Sequence, residues 1–469
     1  MKTRLEEDLI GEKEVDCDAY YGIQSLRAKD NFNITGVSLA SFSTFIVSLV
    51  KVKKAVCLAN FELDILSLEK KDAICSACDE IISGKFHDQF IVDMIQGGAG
   101  TSTNMNVNEV IANRALELMG HKKGEYQYMH PNNDVNLSQS TNDAYPTGLR
   151  VALYAKINDL IDSMKILQNS FYKKAIEFKD VIKMGRTQLQ DAVPMTLGQE
   201  FHTYAVMMEE DIKRLLGAQI SLQEINLGGT AIGTGINAPK KFLDIIEAKL
   251  QEVTNEPFVL AKDLVEATQD TGAYMRISGV FKRVATKISK ICNDLRLLSS
   301  GPVAGFNEIN LPGIQAGSSI MPGKINPVIP EVVNQVAFQV MGSDLTITLA
   351  SAGGQLQLNV FEPVIAYNLF ISINMMKAAF ESLASKCVDG ITANKEHCHN
   401  LVISSIGLVT ALNPYIGYEK ASMVAKEAMR TKKTISQIVL EKKILSEEEL
   451  KEILKPENMI RSNVIAKIE

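Results

Sequence analysis

The sequence predicts a mainly α-helical protein with an elongated central bundle of five helices. Two observations carry this. Apolar residues recur every three or four positions over long windows near 141–179, 194–225, 264–299, 331–350 and 355–390. The connectors between them are short and rich in Gly and Pro, which stop helices.

Composition bounds the rest. The chain has 469 residues, 46% of them hydrophobic, with no Trp and a formal net charge of −6. That length suits two or three domains with a wide core. A mildly acidic chain argues against a nucleic-acid partner. No uncharged apolar run reaches 18 residues, so no membrane span is expected. The N-terminal residues lack an apolar signal core, which points to the cytoplasm. Seven scattered cysteines fit reduced thiols. Cys75 and Cys78 form a lone C-x-x-C in a helical pattern, and with no second pair it does not make a zinc site. No metal is expected.

In chain order, 18–22 and 30–34 suggest turns and a short hairpin. Helices follow at 41–62 and 66–84, the second stopped by Gly84. Gly97–Glu109 then leads into a helix running to about Met119, with Gly120 after it and Thr101 or Thr103 as a natural cap. Residues 121–139 read as a polar loop. Pro146 suits the first turn of the first long helix, about 50 Å in length. Residues 180–194 read as a loop, and Pro194 as the next helix start. The third helix covers 264–299, ending at Ser299-Ser-Gly-Pro302. Val332, Val336, Phe338, Val340 and Leu345 occupy nearly every face of the fourth, as in a helix buried in a core or an interface. A turn is expected at Asn413-Pro414. The domains expected are mixed 1–140, helical 141–396 and small helical 397–469.

Four polar clusters stand out: Gly100-Thr-Ser-Thr-Asn104, Ser140-Thr-Asn-Asp143, Gly185-Arg-Thr-Gln188, and Gly317-Ser-Ser319 with Lys324 and Asn326. Each is expected just ahead of a helix N-terminus, where free N–H groups and the macrodipole favour anions. Hydroxyls, amides and one lysine are equipment for a small carboxylate. The last cluster is not a Walker A loop, because five residues separate Gly317 from Gly323-Lys324 and Ile325 follows. Leu227-Gly-Gly-Thr-Ala-Ile-Gly-Thr-Gly235 is not a dinucleotide fingerprint, since its spacing differs and no strand–helix–strand unit surrounds it.

At these residues the chain resembles the aspartase/fumarase superfamily. Gly317-Ser-Ser-Ile-Met-Pro-Gly-Lys-Ile-Asn-Pro327 looks like its signature. Gly98–Asn106, Gln139–Thr147, Gly185–Asp191, Gly228–Gly235 and Asp18–Arg27 match as well, so the resemblance covers essentially the whole chain. It is closest to the aspartase branch, which implies reversible deamination of L-aspartate to fumarate and ammonia through an aci-carboxylate intermediate, without a cofactor. The Ala-Ser-Gly tripeptide from which aromatic ammonia-lyases build theirs is absent.

The resemblance also implies roles. Ser318 is the base for the Cβ proton. Thr101, Ser140, Thr141 and Ser319 hold the carboxylate that becomes the aci-dianion. Thr187, Lys324 and Asn326 hold the other carboxylate. Asn142, with Thr101 and Gln188, faces the amino group, and 311–330 closes as a lid. The chemistry agrees: a proton alpha to a carboxylate needs strong stabilisation of the developing charge, and a serine base needs its alkoxide stabilised.

Fumarate hydratase of class II is the alternative, and a non-catalytic helical-bundle binding protein the second. Many superfamily members carry His at the position of Gln188, paired with the glutamate matching Glu331. Gln188 cannot shuttle the proton that hydroxide needs on leaving, whereas ammonia leaves neutral without an acid. A dead bundle implies a damaged signature, and this one is intact. The family's pattern is a homotetramer around a multi-helix core, with sites shared between subunits. The length of the first long helix gives this a cause, because it separates Thr141 from Thr187 too far to meet on one small ligand.

Overall fold

The computed structural model describes residues 2–460, and helices dominate it. It opens on an antiparallel hairpin, β1 (Thr3–Asp8) with β2 (Gly11–Asp16), followed by α1 (Ile23–Asn31). The hairpin precedes the turns expected at 18–22 and 30–34. Its strands are mostly charged and bury little, so they show no apolar alternation.

Next come α2 (Ser43–Glu62), α3 (Leu68–Ile82) and α4 (Thr101–Leu118), close to their expected spans. Gly84 and Gly120 sit just past the caps of α3 and α4 at φ +100° and +83°, the left-handed stop that favours glycine. α5 (Thr141–Glu177) runs for 37 residues. Pro146 lies in its second turn, not its first. The proline cannot donate to the Asn142 carbonyl four residues back, and the Asn226 side-chain amide donates there instead at 2.9 Å.

Residues 180–194 are not a loop. They contain β3 (Ile182–Thr187) and β4 (Gln190–Thr196), an antiparallel hairpin with a bulge at Gly185. Pro194 belongs to β4. The helix start is Thr196, whose hydroxyl accepts from Gln199 N while the Gln199 side chain accepts from Thr196 N. α6 (Leu197–Gln219) follows. Then β5 (Glu224–Ile225) pairs in parallel, beyond α7 (Phe242–Thr254), with β6 (Val259–Leu260).

The helix expected over 264–299 is broken in two, α8 (Leu264–Gln269) and α9 (Gly272–Leu298). Asp270 causes the break by accepting from Gly272 N at 2.9 Å in a local turn. β7 (Ile309–Asn310) precedes α10 (Val328–Ala352) and α11 (Glu362–Lys386), and pairs with β8 (Thr392–Ala393). Short helices finish the described residues: α12 (Lys395–Ser404), α13 (Val409–Ile416), α14 (Tyr418–Thr431), α15 (Ile435–Glu441), α16 (Glu447–Ile453) and α17 (Pro456–Met459). Pro414 lies inside α13 and is not a turn; Gly417, at φ +80°, ends that helix.

The chain forms two compact units. One comprises 1–161, 213–283 and 339–375, and the other 162–212, 284–338 and 376 onward. The first has a core of Val52, Val56, Val151, Phe242, Leu250 and Phe258, from α2, α5, α7 and the segment before β6. The second has one of Ile182, Met184, Val402, Leu412, Val424 and Ile438, in which β3 packs on the C-terminal helices. α11 is long and apolar enough to cross a membrane by composition, but Ile365, Ala366, Leu369 and Ile373 are buried within the fold. α10 buries Val333, Ala337, Val340 and Ile347 and leaves Phe338, Leu345 and Leu349 more than 60% exposed.

Candidate active site

In the first unit the N-termini of α4 and α5 lie side by side. Gly98, Ala99 and Gly100 are all left-handed, and a Cβ on Gly100 would stand 2.4 Å from the Tyr145 ring of α5. Glycine there lets the two helix starts approach. Gly100 itself is the N-cap of α4, so neither Thr101 nor Thr103 caps it. Thr101 donates to Gly98 O at 2.7 Å and is exposed, whereas Thr103 is buried against Gln96. Asn104 donates to the Thr141 hydroxyl at 3.1 Å and so joins the two helices.

Below them lies a buried polar frame. Lys53 on α2, 1% exposed, donates to Asn136 and Gln139, both at 2.9 Å. Burial pulls its ammonium down to about 7, against the opposing charge of Asp143. Asp143 is wholly buried and accepts three backbone N–H groups, from Ser140 at 2.9 Å, Gly228 at 3.0 Å and Thr230 at 2.9 Å. Burial raises its carboxyl to about 6 even so. This residue ties the start of α5 to the glycine-rich 228–235 segment. The Asn142 side-chain NH2 donates to Ala231 O at 2.8 Å. Its amide oxygen accepts no hydrogen bond among the described residues, which leaves an acceptor, the partner an ammonium group needs.

In the second unit, Thr187 and Gln188 stand at the β3–β4 turn. The expectation that this cluster precedes a helix is corrected here, because β4 intervenes. Gln188 and Leu189 have φ of +54° and +63°, a tight hairpin turn normally made with Asn and Gly. Two non-glycine residues held this way store strain of the kind found at functional sites. The hairpin is anchored beneath by a buried charge cluster. Glu308, fully buried, pairs with Arg186 at 2.5 Å and with Lys183 at 2.8 Å. Lys183 also pairs with Glu200, and the Arg186 guanidinium lies 4.2 Å from the Phe306 ring centre. Burial works against the charge on Lys183, but Glu200 and Glu308 outweigh it and raise its pKa.

The 311–327 segment is a non-helical loop, as its Gly and Pro content predicts, and Pro330 enters the first turn of α10. Gly317 N donates to Lys324 O at 2.8 Å. The Asn326 side chain donates to Gly317 O at 2.7 Å, so its NH2 braces the loop. A Cβ on Gly317 would stand 2.5 Å from Lys324 O, which excludes any larger residue. Inside the ring, the Ser318 hydroxyl oxygen accepts from Ile320 N at 3.2 Å and Met321 N at 3.0 Å. Ser319 and Lys324 are open to solvent, and Lys324 makes no ion pair among the described residues. No hydrogen bond joins this loop to the hairpin turn among the described residues.

The structure thus groups Thr101 with Ser140, Thr141 and Asn142, and separately Ser318 and Ser319 with Lys324 and Asn326, while Thr187 and Gln188 share their own turn. Of the supporting residues, Asn104 and Asp143 fall inside the polar clusters read from the sequence without a role of their own, and Lys53 and Glu308 are not singled out there. A signal existed for Asp143, which ends the Ser-Thr-Asn-Asp cluster, whereas Lys53 is one of three lysines between Val47 and Val56 and does not stand out among them.

A family model described as "Lyase" matches residues 11–342, and one described as "Fumarase C C-terminus" matches 408–461. An aspartate ammonia-lyase from Helicobacter pylori is 62% identical over 464 residues, 99% of each chain. The crystal structure of a fumarate lyase:delta crystallin from Brucella melitensis bound to cobalt superposes with a TM-score of 0.95 at 50% identity, covering 97% of this chain and 99% of its own. A class II fumarase from Schistosoma mansoni gives a TM-score of 0.92 at 35% identity, covering 98% and 99%.

Proposed function

We propose the following assignment of roles from the premise that the chain belongs to the aspartase/fumarase superfamily of lyases. Its reaction is that of an aspartate ammonia-lyase, the reversible elimination of ammonia from L-aspartate to give fumarate.

Ser318 takes the Cβ proton. The observation that carries this is the pair of backbone N–H groups, from Ile320 and Met321, aimed at its hydroxyl oxygen. Those two donors stabilise the oxygen when it bears charge, and exclusion of water strengthens them. As the Cβ–H bond breaks, its electron pair moves into the adjacent carboxylate, which becomes the aci-dianion. Thr101, Ser140, Thr141 and Ser319 hold that group with hydroxyls and the free N–H groups at the starts of α4 and α5. Thr187, Lys324 and Asn326 hold the other carboxylate. The pair then returns to form the Cα–Cβ double bond, and the C–N bond breaks with its electrons leaving on ammonia. The free amide oxygen of Asn142 orients the ammonium group, with Thr101 and Gln188 beside it.

Water as the leaving group is the second reading, supported by the 35% identity to a class II fumarase. Against it stands Gln188, which cannot donate a proton to hydroxide. Fumarate absorbance measured with L-aspartate and, separately, L-malate distinguishes the readings. Formation from L-aspartate is expected; formation from L-malate alone would sink this assignment.

The working form we propose is a homotetramer with composite sites. Support comes from α5, whose 37 residues span about 55 Å. It also comes from Phe338, Leu345 and Leu349 on α10, since burying each such side chain contributes about 1.5–3 kcal/mol. No cofactor or metal is assigned a role. A cytoplasmic location fits seven free cysteines.

A further inference from the structure

Two cysteine sulfurs outside the proposed site lie close together. Cys57 on α2 and Cys75 on α3 place their Sγ atoms 3.9 Å apart. Spacing alone pairs Cys75 with Cys78, but Cys78 is turned into the core at 0% exposure. Cys75 is half-buried and faces Cys57 across the helix pair, and Cys57 is 4% exposed. A disulfide needs about 2.05 Å between sulfurs, so the two must approach by a further 2 Å or so to form the bond.

The surroundings differ for the two sulfurs. Lys54 and Lys71 carry their charge toward Cys75, with Asp79 opposing them. Lys54 is paired with Asp79 at 2.5 Å, and Lys71 with Asp72 while lying 5.0 Å from the Phe61 ring centre. The Cys57 thiol beside it, with the two lysines, holds Cys75 below the ordinary thiol value, whereas its contact with Cys75 and burial push Cys57 up and burial pushes up Cys78. The half-buried cysteine is therefore the one that favours the thiolate, and its more deeply buried neighbour keeps its proton. That is the arrangement of an attacking thiol and a resolving one.

We propose that Cys75 is a site of oxidation by hydroperoxides and that Cys57 resolves it into a disulfide linking α2 to α3. The Cys75 thiolate attacks one peroxide oxygen and the O–O bond breaks. Sulfur is oxidised to the sulfenic acid, and the other oxygen leaves as hydroxide, or as alkoxide from an organic peroxide, and takes up a proton. The Cys57 sulfur then attacks the Cys75 sulfur; the S–S bond forms, the S–O bond breaks, and water leaves carrying the Cys57 proton. With hydrogen peroxide the balance is two thiols and one peroxide giving one disulfide and two waters. A dithiol reductant reverses it.

The test is peptide mapping of the full-length protein after hydrogen peroxide treatment and quenching with N-ethylmaleimide, without reduction. The expected product is a Cys57–Cys75 linked peptide, absent in Cys57→Ser and Cys75→Ser and retained in Cys78→Ser. Dimedone is expected to label Cys75 in Cys57→Ser, and not Cys57 in Cys75→Ser. Unchanged turnover of L-aspartate by the untreated variants checks that they are folded. Cys75 alkylated equally with and without peroxide, bridged to Cys78, or ending as sulfinic acid in the wild-type chain would overturn the proposal.

Discussion

The side-chain amide of Asn326 donates to the carbonyl oxygen of Gly317 at 2.7 Å and closes residues 317–326 into a ring. The ring matters because it holds Ile320 N and Met321 N toward the Ser318 hydroxyl oxygen. A loop free to open would expose that oxygen to water, and a serine in water is no base for a carbon acid.

Two substitutions separate the base from its brace. Ser318→Ala removes the proposed proton acceptor and is expected to lower kcat by about 10²–10⁴-fold with little change in KM. Asn326→Ala leaves the hydroxyl but frees the ring and removes a proposed carboxylate ligand, so KM is expected to rise as kcat falls. Steady-state kinetics on L-aspartate decides. A Ser318→Ala enzyme within a few-fold of wild type would remove Ser318 as the base.

Gln188 holds a left-handed conformation without being glycine. Gln188→Gly relieves that strain and is expected to stabilise the fold by about 1 kcal/mol. The same change deletes a group proposed to face the substrate amine, and a lost hydrogen bond to a charged partner lowers kcat/KM by about 10–100-fold. Denaturant midpoints and kinetics on the same preparation check both. Higher stability with unchanged kinetics would leave the conformation without a catalytic purpose.

Glu362, in the first turn of α11, is wholly buried, and burial raises its carboxyl to about 8, with Arg150 opposing. The folded value lies above the ordinary 4.5. Its contribution to stability is thus complete below that ordinary value and is lost as pH rises through about 8. Wild-type protein should lose on the order of a few kcal/mol relative to Glu362→Gln between pH 5 and pH 9. Urea unfolding of both proteins across that range tests it, and parallel curves would contradict it.

How far these features were legible in the sequence depends on how local their causes are. The stops at Gly84 and Gly120 were readable because a single glycine with positive φ ends a helix. The β3–β4 hairpin was not, because Pro194 fits a helix start as well as an edge strand, and tertiary packing on the C-terminal helices decides between them. The polar site residues were visible as clusters beside glycines. The groups beneath them were not, because their meaning lies in distant contacts: Lys53 meets Gln139 across 86 positions, and Arg186 meets Glu308 across more than a hundred.

The longest helix yields the sharpest test of shared sites. α5 begins at Thr141, beside the proposed ligands Ser140 and Asn142, and ends at Glu177, about 55 Å away and shortly before the hairpin that carries Thr187. A four-carbon substrate cannot bridge that distance. If Thr141 and Thr187 hold the same molecule, they come from different copies of the chain. Homotetramers of Thr141→Ala and of Thr187→Ala should each be impaired at every site. Unfolded together in equal amounts and refolded, they form hybrids in which some sites take Thr141 from one variant and Thr187 from the other. Random mixing leaves about one site in four with both wild-type groups, and recovery of about a quarter of wild-type activity is expected. Hybrids verified by native mass spectrometry that recover nothing would place the two residues in one subunit's site.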